Sequence, residues 1–379
     1  MAEKSSRTLD NISNGNSSPE PDTPQEYVSR ISSDQFSSWY RERRYRQNIE
    51  QGTPYFNNPS VPKPAQHSPS RLLKCHRRVY YEIHNAPAEV SKPIGIFWFG
   101  SSFETDISVP FLRSVTEENH YVRNSIWVDF KIEVDSGEVR FRGETDPVIV
   151  DEESRPVLLT EIKTTSSIQH MDKPSPHHRA QVHAYLYGLS ERYETEYLDA
   201  VILYFTRDDF AFRQFHVRFD SKFWLEEVLT WATEDSGFRA DGILPPATPE
   251  REWECEFCPY SHRCGKRDSP FSDEEPTGLL PLTKYPPERL EEYLAAYPTA
   301  KLTPTLAHCY PELAAEHGSY DWRCSACSAE FPVETTSWEG DLDQLPICAD
   351  CAANAVYAPL VDPDPNGQSI VEGGESNVE

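Results

Sequence analysis

Residues 142–150 read RGETDPVIV, residues 157–167 read VLLTEIKTTSS, and residues 177–188 read HHRAQVHAYLYG. Together they spell strand, turn, strand, loop and helix. Asp146 follows the short Gly143-Glu144-Thr145 turn, and Glu161-Ile162-Lys163 lies in a run rich in Val, Leu and Ile. Alternation along a strand sends residues i and i+2 to one face, so Glu161 and Lys163 point the same way. A carboxylate and an ammonium on a buried strand are costly unless they pair or meet a metal. Asp146 and Glu161 are therefore candidates to hold Mg²⁺ or Mn²⁺ through oxygen, with Lys163 beside the same ion. Such a set suits phosphodiester hydrolysis, because the cation polarises the phosphate while the ammonium offsets charge in the transition state. On the helix, His178, Gln181 and Tyr185 share a face by their i, i+3, i+7 spacing and can meet phosphates or a terminal base.

Three motifs stand in order: Gly143 and Asp146 as G-x-x-D, Glu161 and Lys163 as E-x-K, Gln181 and Tyr185 as Q-x-x-x-Y. The arrangement resembles the PD-(D/E)XK nuclease superfamily, and its surroundings resemble the RecB-type branch. The resemblance implies an α/β fold with a mixed central sheet flanked by helices, and a Mg²⁺- or Mn²⁺-dependent deoxyribonuclease. Further upstream, Gly100 and Glu104 stand where that branch often has G-x-x-x-H. The departure is a Glu for a His, and Glu104, read as opening a helix, is a third oxygen ligand on this reading.

Cys75 sits in C-x-R-R-x-Y-Y, and Cys255, Cys258 and Cys264 form C-x2-C-x5-C with Pro259 after the second cysteine. This resembles the four-cysteine set of CRISPR-associated RecB-like exonucleases and of AddB-like nucleases. The resemblance implies a [4Fe–4S] cluster closing the two ends of the nuclease region over one another. Zn²⁺ is the chemical alternative, and spacing alone does not choose between them. A second set, Cys324, Cys327, Cys348 and Cys351, has the C-x2-C-x20-C-x2-C spacing of a zinc ribbon. Its acidic surroundings favour a protein partner over DNA.

The chain has 379 residues, 36 Lys and Arg against 62 Asp and Glu, a net charge of −26 and nine cysteines. Length allows two domains plus tails. Cysteines in C-x-x-C pairs favour metal over disulfide in a cytoplasmic setting. No run of apolar residues is long enough to span a membrane, and the N-terminus lacks the apolar stretch of a secretory signal. A phosphate polyanion is repelled by so acidic a protein, unless a salt-rich cytoplasm shortens the screening length to about 3 Å at 1 M. Low Lys content with many Asp and Glu fits a halophile.

Residues 1–67 read as a mostly disordered arm holding one helix from Ser33 to Glu50, whose Arg41, Arg43, Arg44 and Arg46 interleave with aromatics. Residues 68–268 are the nuclease region, beginning with a helix capped at Ser68. Residues 269–318 read as linker with a short helix, 319–357 as the zinc ribbon and 358–379 as a disordered acidic tail. Lys74, Arg77, Arg78 and Arg179 are candidate phosphate contacts. The function these readings favour is an exonuclease on single-stranded DNA or DNA ends, in repair or in trimming before CRISPR integration. The competing class is a scaffold that keeps the fold, binds DNA without cutting it and meets partners through its zinc ribbon; the intact Asp146, Glu161 and Lys163 set argues against it.

Overall fold

The computed structural model describes residues 31–50, 66–134 and 137–370. The expectations for residues 1–26, for most of the proline-rich stretch 52–69 and for 371–379 lie outside them. The chain divides into a unit of residues 1–58 and a unit of residues 59–379. In the first, α1 (Ser33–Glu50) forms where the aromatic and arginine pattern places it. Phe36 stacks on Tyr40 at 6.0 Å between centroids, and the Arg43 guanidinium lies 5.6 Å from the Trp39 ring.

The second unit is mixed α/β. Its first strands are β1 (Gln66–His67), β2 (His120–Arg123), β3 (Trp127–Val134), β4 (Gly137–Glu144), β5 (Val148–Asp151), β6 (Pro156–Thr165), β7 (Asp199–Thr206) and β8 (Phe212–Arg218). Strands β1, β4 and β3 make one sheet, and β2, β5, β6, β7 and β8 make another in that order. The hairpin β3–β4 pairs Trp127 with Glu144 through Val134 with Gly137. β6 and β7 run parallel, while the other pairs of the five-stranded sheet are antiparallel. A parallel neighbour needs a crossover, and a long helix between β6 and β7 supplies it.

One face of the sheets packs on two helices. Leu186 and Leu189 of that crossover helix, and Val228 and Ala232 further on, meet Phe130, Phe141, Val148, Leu159 and Ile202 in the main core. On the other side Phe103, Val109 and Leu112 cover Ile162, Leu203 and Phe205. The helices in chain order are α2 (His76–Ile83), α3 (Ile94–Phe103), α4 (Val109–Val115), α5 (Pro176–Tyr193, the crossover) and α6 (Thr230–Asp241). Among the described residues no helix is long and apolar enough to cross a membrane.

Four stretches differ from expectation. The helix expected from Ser68 is a 3₁₀ turn, Pro69–Arg71, followed by a break at Leu73, which has φ +58°. Leu72 enters the core there, fully buried, and Cys75 stands at the N-cap of α2 rather than inside a helix. Glu104 opens no helix; it begins a π-helical turn, Glu104–Ser108, between α3 and α4. Pro110 has no N–H to give and its ring crowds the carbonyl four residues back, so the helix widens at that point.

Residues 269–318 are a packed helical unit rather than a linker. After α7 (Ser261–Cys264) come α8 (Pro287–Ala296), α9 (Pro304–Cys309) and α10 (Pro311–His317). Leu279, Leu280, Tyr285, Leu290, Tyr293, Leu294, Leu302 and Leu306 form a core of their own. Pro287, Pro304 and Pro311 start helices, where a missing N–H costs nothing. Beyond them, β9 (Trp322–Cys324), β10 (Glu330–Phe331), α11 (Ala349–Ala353) and β11 (Leu360–Val361) build the last small sheet, in strand order β10-β9-β11. Residues 358–370 are therefore not a disordered tail. Leu360 pairs with Cys324, and buried Asp362 accepts hydrogen bonds from the Leu282 and Thr305 amides at 2.8 and 2.9 Å. Gln368 accepts one from the Leu279 amide at 2.8 Å. Backbone pairing and satisfied polar groups hold this segment, which composition alone does not display.

Candidate active site

The pairing of β5 with β6 explains how two acids from separate segments meet. Their register runs to Val148 opposite Leu159, and the Thr160 amide still reaches the Pro147 carbonyl at 3.3 Å. Past that point β5 turns away, and Pro147 offers no donor. The Ile162 amide is taken instead by the Asp146 side chain, Oδ2, at 2.7 Å. This tether lays the Asp146 carboxyl beside Glu161, close enough for its charge to act on the Glu161 carboxyl. Lys163, two residues along the same face, donates to Glu161 Oε1.

Glu161 is fully buried, and its Oε2 has no hydrogen-bond partner. Burial pushes its carboxyl up to about 8; Lys163 pulls against this and Asp146 adds to it. Burial depresses the Lys163 ammonium, but the Glu161 and Asp146 carboxylates outweigh that and hold it above the ordinary lysine range. Glu104 lies close enough to feel the same charges. Burial, then Asp146, pushes it up to about 7, against Lys163. The carboxylates of Glu104, Asp146 and Glu161 are not all drawn within 4.8 Å of one another.

The helix face of His178, Gln181 and Tyr185 borders this set. Gln181 Nε2 lies 3.4 Å from the Tyr185 hydroxyl, which donates to the Glu144 carbonyl at 2.6 Å. That bond pins the turn carrying Asp146. Gly143 is needed there, because a Cβ would come 2.8 Å from Pro69 Cδ and 3.5 Å from Tyr185 Cε1. His178 Nδ1 is 2.8 Å from the Tyr204 hydroxyl, and burial followed by the Lys163 charge pushes it down to about 2, so it is neutral. Tyr204, aligned with Lys163 across the parallel pair, was not expected; its place in the Val-, Leu- and Ile-rich run of β7 reads as core. Lys74 is also nearby, with Lys163 among the charges that act on it.

Two candidate substrate contacts are engaged elsewhere. The Arg179 guanidinium pairs with Asp220 at 2.7 Å and lies 3.9 Å from the centre of the Phe223 ring. Arg77 is buried; its Nε donates to the Pro245 carbonyl at 2.6 Å, and its Nη1 meets Asp273 and lies 3.8 Å from Cys264 Sγ. The sequence offers both as phosphate contacts because it does not show which arginines are spent on internal acceptors.

Arg77 belongs to a separate site. Cys75, Cys255, Cys258 and Cys264 line one cavity of about 30 Å³, together with Arg77, Arg78 and Lys266. Burial first, and then the neighbouring thiols, push the Cys258 thiol up to about 11 and raise Cys255 and Cys264. No three of these four sulfurs are drawn within 4.8 Å of one another.

The second cysteine set is tighter. Cys324, Cys327, Cys348 and Cys351 place all four sulfurs within 4.8 Å, with Cys324 to Cys351 at 3.7 Å and Cys327 to Cys348 at 3.8 Å. Zinc–sulfur bonds of about 2.3 Å in a tetrahedron put ligand sulfurs about 3.8 Å apart. In each C-x-x-C turn the second cysteine's amide lies 3.4 Å from the first cysteine's sulfur. The Cys327 and Ala326 amides together bring the Cys324 thiol down to about 6, into thiolate range.

A family profile described as PD-(D/E)XK nuclease superfamily matches residues 43–265. The CRISPR-associated exonuclease Cas4 of Saccharolobus solfataricus is 26% identical over 195 residues, 51% of this chain and 84% of that protein. A crystal structure described as SSO0001 aligns with 60% of this chain and 96% of its own, at 20% identity and a TM-score of 0.39.

Proposed function

Because the chain belongs to the PD-(D/E)XK nuclease superfamily, we propose that it is a Mg²⁺- or Mn²⁺-dependent deoxyribonuclease that removes nucleotides from single-stranded DNA or DNA ends. The carrying observation is the buried Glu161 carboxyl, one oxygen unpartnered and the other held by Lys163, beside an Asp146 that is tethered to the next backbone amide. Two neighbouring acids, one of them fully buried and pushed up by that burial, fit a divalent cation that favours their charged forms. Asp146 and Glu161 are the ligands, and Glu104 closes the third side. When bound, the cation supplies electrostatic activation of the phosphate and acidification of water. Lys163 orients the nucleophile and balances charge on the phosphoryl oxygens. Gln181 and Tyr185 fix the turn of Asp146 and border the substrate, and neutral His178 is a hydrogen-bonding group on the same wall.

The wide cysteine set fits a [4Fe–4S] cluster better than one zinc ion, since its sulfurs are too far apart for a single tetrahedral ion. The tight set fits zinc, and its ribbon is a candidate surface for a protein partner. The similarity to an exonuclease associated with CRISPR supports a role in trimming DNA before integration, or in repair. The charge of −26 suits a salt-rich cytoplasm, where screening relieves repulsion between protein and DNA.

The test is degradation of end-labelled oligonucleotides by protein purified with its clusters loaded. Cleavage should need Mg²⁺ or Mn²⁺, persist near 1 M salt, and depend on Asp146 and Glu161. Intact DNA across both metals and all salt concentrations would overturn the reading. Iron and sulfide analysis should find the cluster, and Cys75→Ala should remove it.

A further inference from the structure

We infer that a groove beside α3 and α8 is a track for one strand of DNA, walled on one side by the helical extension beyond the nuclease core. The inference rests on the nuclease reading above. The groove encloses about 520 Å³. Two phenylalanines line it, Phe97 from α3 and Phe257 at the end of a 3₁₀ turn, Glu252–Phe257, and they are 65% and 74% exposed. Both rings therefore offer an open face to whatever enters the groove. Four cations line the same groove: Arg71, Arg78, Lys92 and Arg289.

Among the described residues these cations pair with two carboxylates. Glu82 is shared by Arg71 at 3.3 Å and Arg78 at 3.0 Å. Glu292 is shared by Lys92 and by Arg289, the latter at 3.1 Å. Each carboxylate balances one of its two partners, so each cluster keeps one net positive charge in a chain of charge −26. Partly exposed pairs of this kind are weak, and phosphate oxygens can displace such carboxylates.

Exposed rings beside cations are the recognition chemistry of single strands, where base faces are free to stack and phosphates track the charges. A duplex hides its base faces. An acidic peptide satisfies the cations and leaves Phe97 and Phe257 bare. The groove lies near the candidate site along the chain. Phe97 in α3 precedes Glu104, which follows that helix, by seven residues, about 10 Å along a helix. Lys74 feels the groove charges of Arg71, Arg78 and Glu82 together with that of Lys163. Arg289 and Glu292 belong to α8, past the family match that ends at residue 265. The extension therefore completes a path that the nuclease core alone leaves open on one side.

The experiment measures affinity for a fluorescein-labelled 20-residue oligothymidylate by anisotropy, using full-length, cluster-loaded protein carrying Asp146→Ala so that nothing is cut. Phe97→Ala and Phe257→Ala should each weaken binding about tenfold, and Phe97→Tyr and Phe257→Trp should restore it. Lys92→Glu should also lower the slope of log affinity against log salt by about 0.7. Unlabelled oligothymidylate should compete, whereas polyglutamate and a blunt 20-base-pair duplex should not. Unchanged affinity in both alanine variants, or displacement by polyglutamate at equal concentration, overturns the track. Cleavage by the wild-type protein is scored separately. A wild type that cuts DNA while the alanine variants bind normally sinks the groove alone, and one that binds through both rings but never cuts sinks the hydrolase reading alone.

Discussion

Asp146 has two tasks that substitution can separate. Its charge is proposed to hold a cation, and its Oδ2 caps the Ile162 amide at the point where strand pairing fails. Asp146→Asn keeps an acceptor and loses the charge; Asp146→Ala loses both. Both variants should cut DNA at least about 100-fold more slowly, judging by the loss of a charge aimed at a transition state. Only the alanine variant should also lose about 1–3 kcal/mol of stability, the penalty for an unmet buried donor, which urea unfolding will read. Gly143→Ala should slow cleavage as well, because its Cβ would come 2.8 Å from the Pro69 ring and shift the turn that leads to Asp146. At this scale the sequence was informative: strand alternation alone placed Glu161 and Lys163 on one face. The Ile162 tether and Tyr204 were invisible, because neither residue type looks polar or functional in its run.

At the scale of elements, α5 carries both chemistry and packing. Its Gly188 lies against β3, where a Cβ would come 2.7 Å from the Phe130 ring. Gly188→Ala should cost about 1–3 kcal/mol through overpacking, read as a lower urea midpoint with an unchanged slope. His183 joins this helix to the next segment. Its Nδ1 is 2.8 Å from the Arg179 carbonyl, and its Nε2 accepts from the Asp220 amide at 3.0 Å. A proton on Nε2 would face another donor. Burial, with the carbonyl bond opposing it, brings this imidazole down to about 4 from an ordinary 6.5. The unfolded chain therefore binds the proton first as pH falls. The stabilising contribution is full above about pH 6.5 and is lost progressively toward pH 4. His67, pushed down to about 3 chiefly by burial, adds a loss in the same direction. Thermal melts from pH 8 to pH 4 should show midpoints that fall below pH 6.5, and His183→Gln should flatten that dependence. Sequence periodicity found α5 and the hairpin. It misplaced Glu104 because the effect of Pro110 on a helix depends on whether the surroundings force a break or a bulge.

At the scale of the molecule, the two cysteine sites sit on either side of a helical core that composition disguised as linker. Prolines and acids in residues 269–287 gave it the signature of a solvated connector, while Leu279, Leu280, Leu290, Tyr293 and Leu294 carried the core. Several ties bind it to the nuclease region. Tyr81 donates to the Glu274 carbonyl at 2.7 Å, the Tyr297 hydroxyl donates to the His84 carbonyl, and fully buried Arg263 reaches the carbonyls of Glu275, Thr277 and Gly278. Arg263 adjoins Cys264, so the cluster site and the extension share one stretch of backbone. A chain ending at residue 357 keeps every proposed zinc ligand but loses β11, Asp362 and Gln368. It should purify with less than one zinc per chain by atomic emission, and trypsin should cut within residues 279–320, whereas the full chain resists.

The return of Gln368 to Leu279 sets a timetable for synthesis. The last cysteine of the first set, Cys264, emerges about a hundred residues before that glutamine, a delay on the order of 10 s at ordinary elongation rates. For that interval the nuclease core has all its parts while the helical extension still lacks its clasp. A nascent chain thus has time to load the metal centre proposed for those cysteines before the helical extension locks into place.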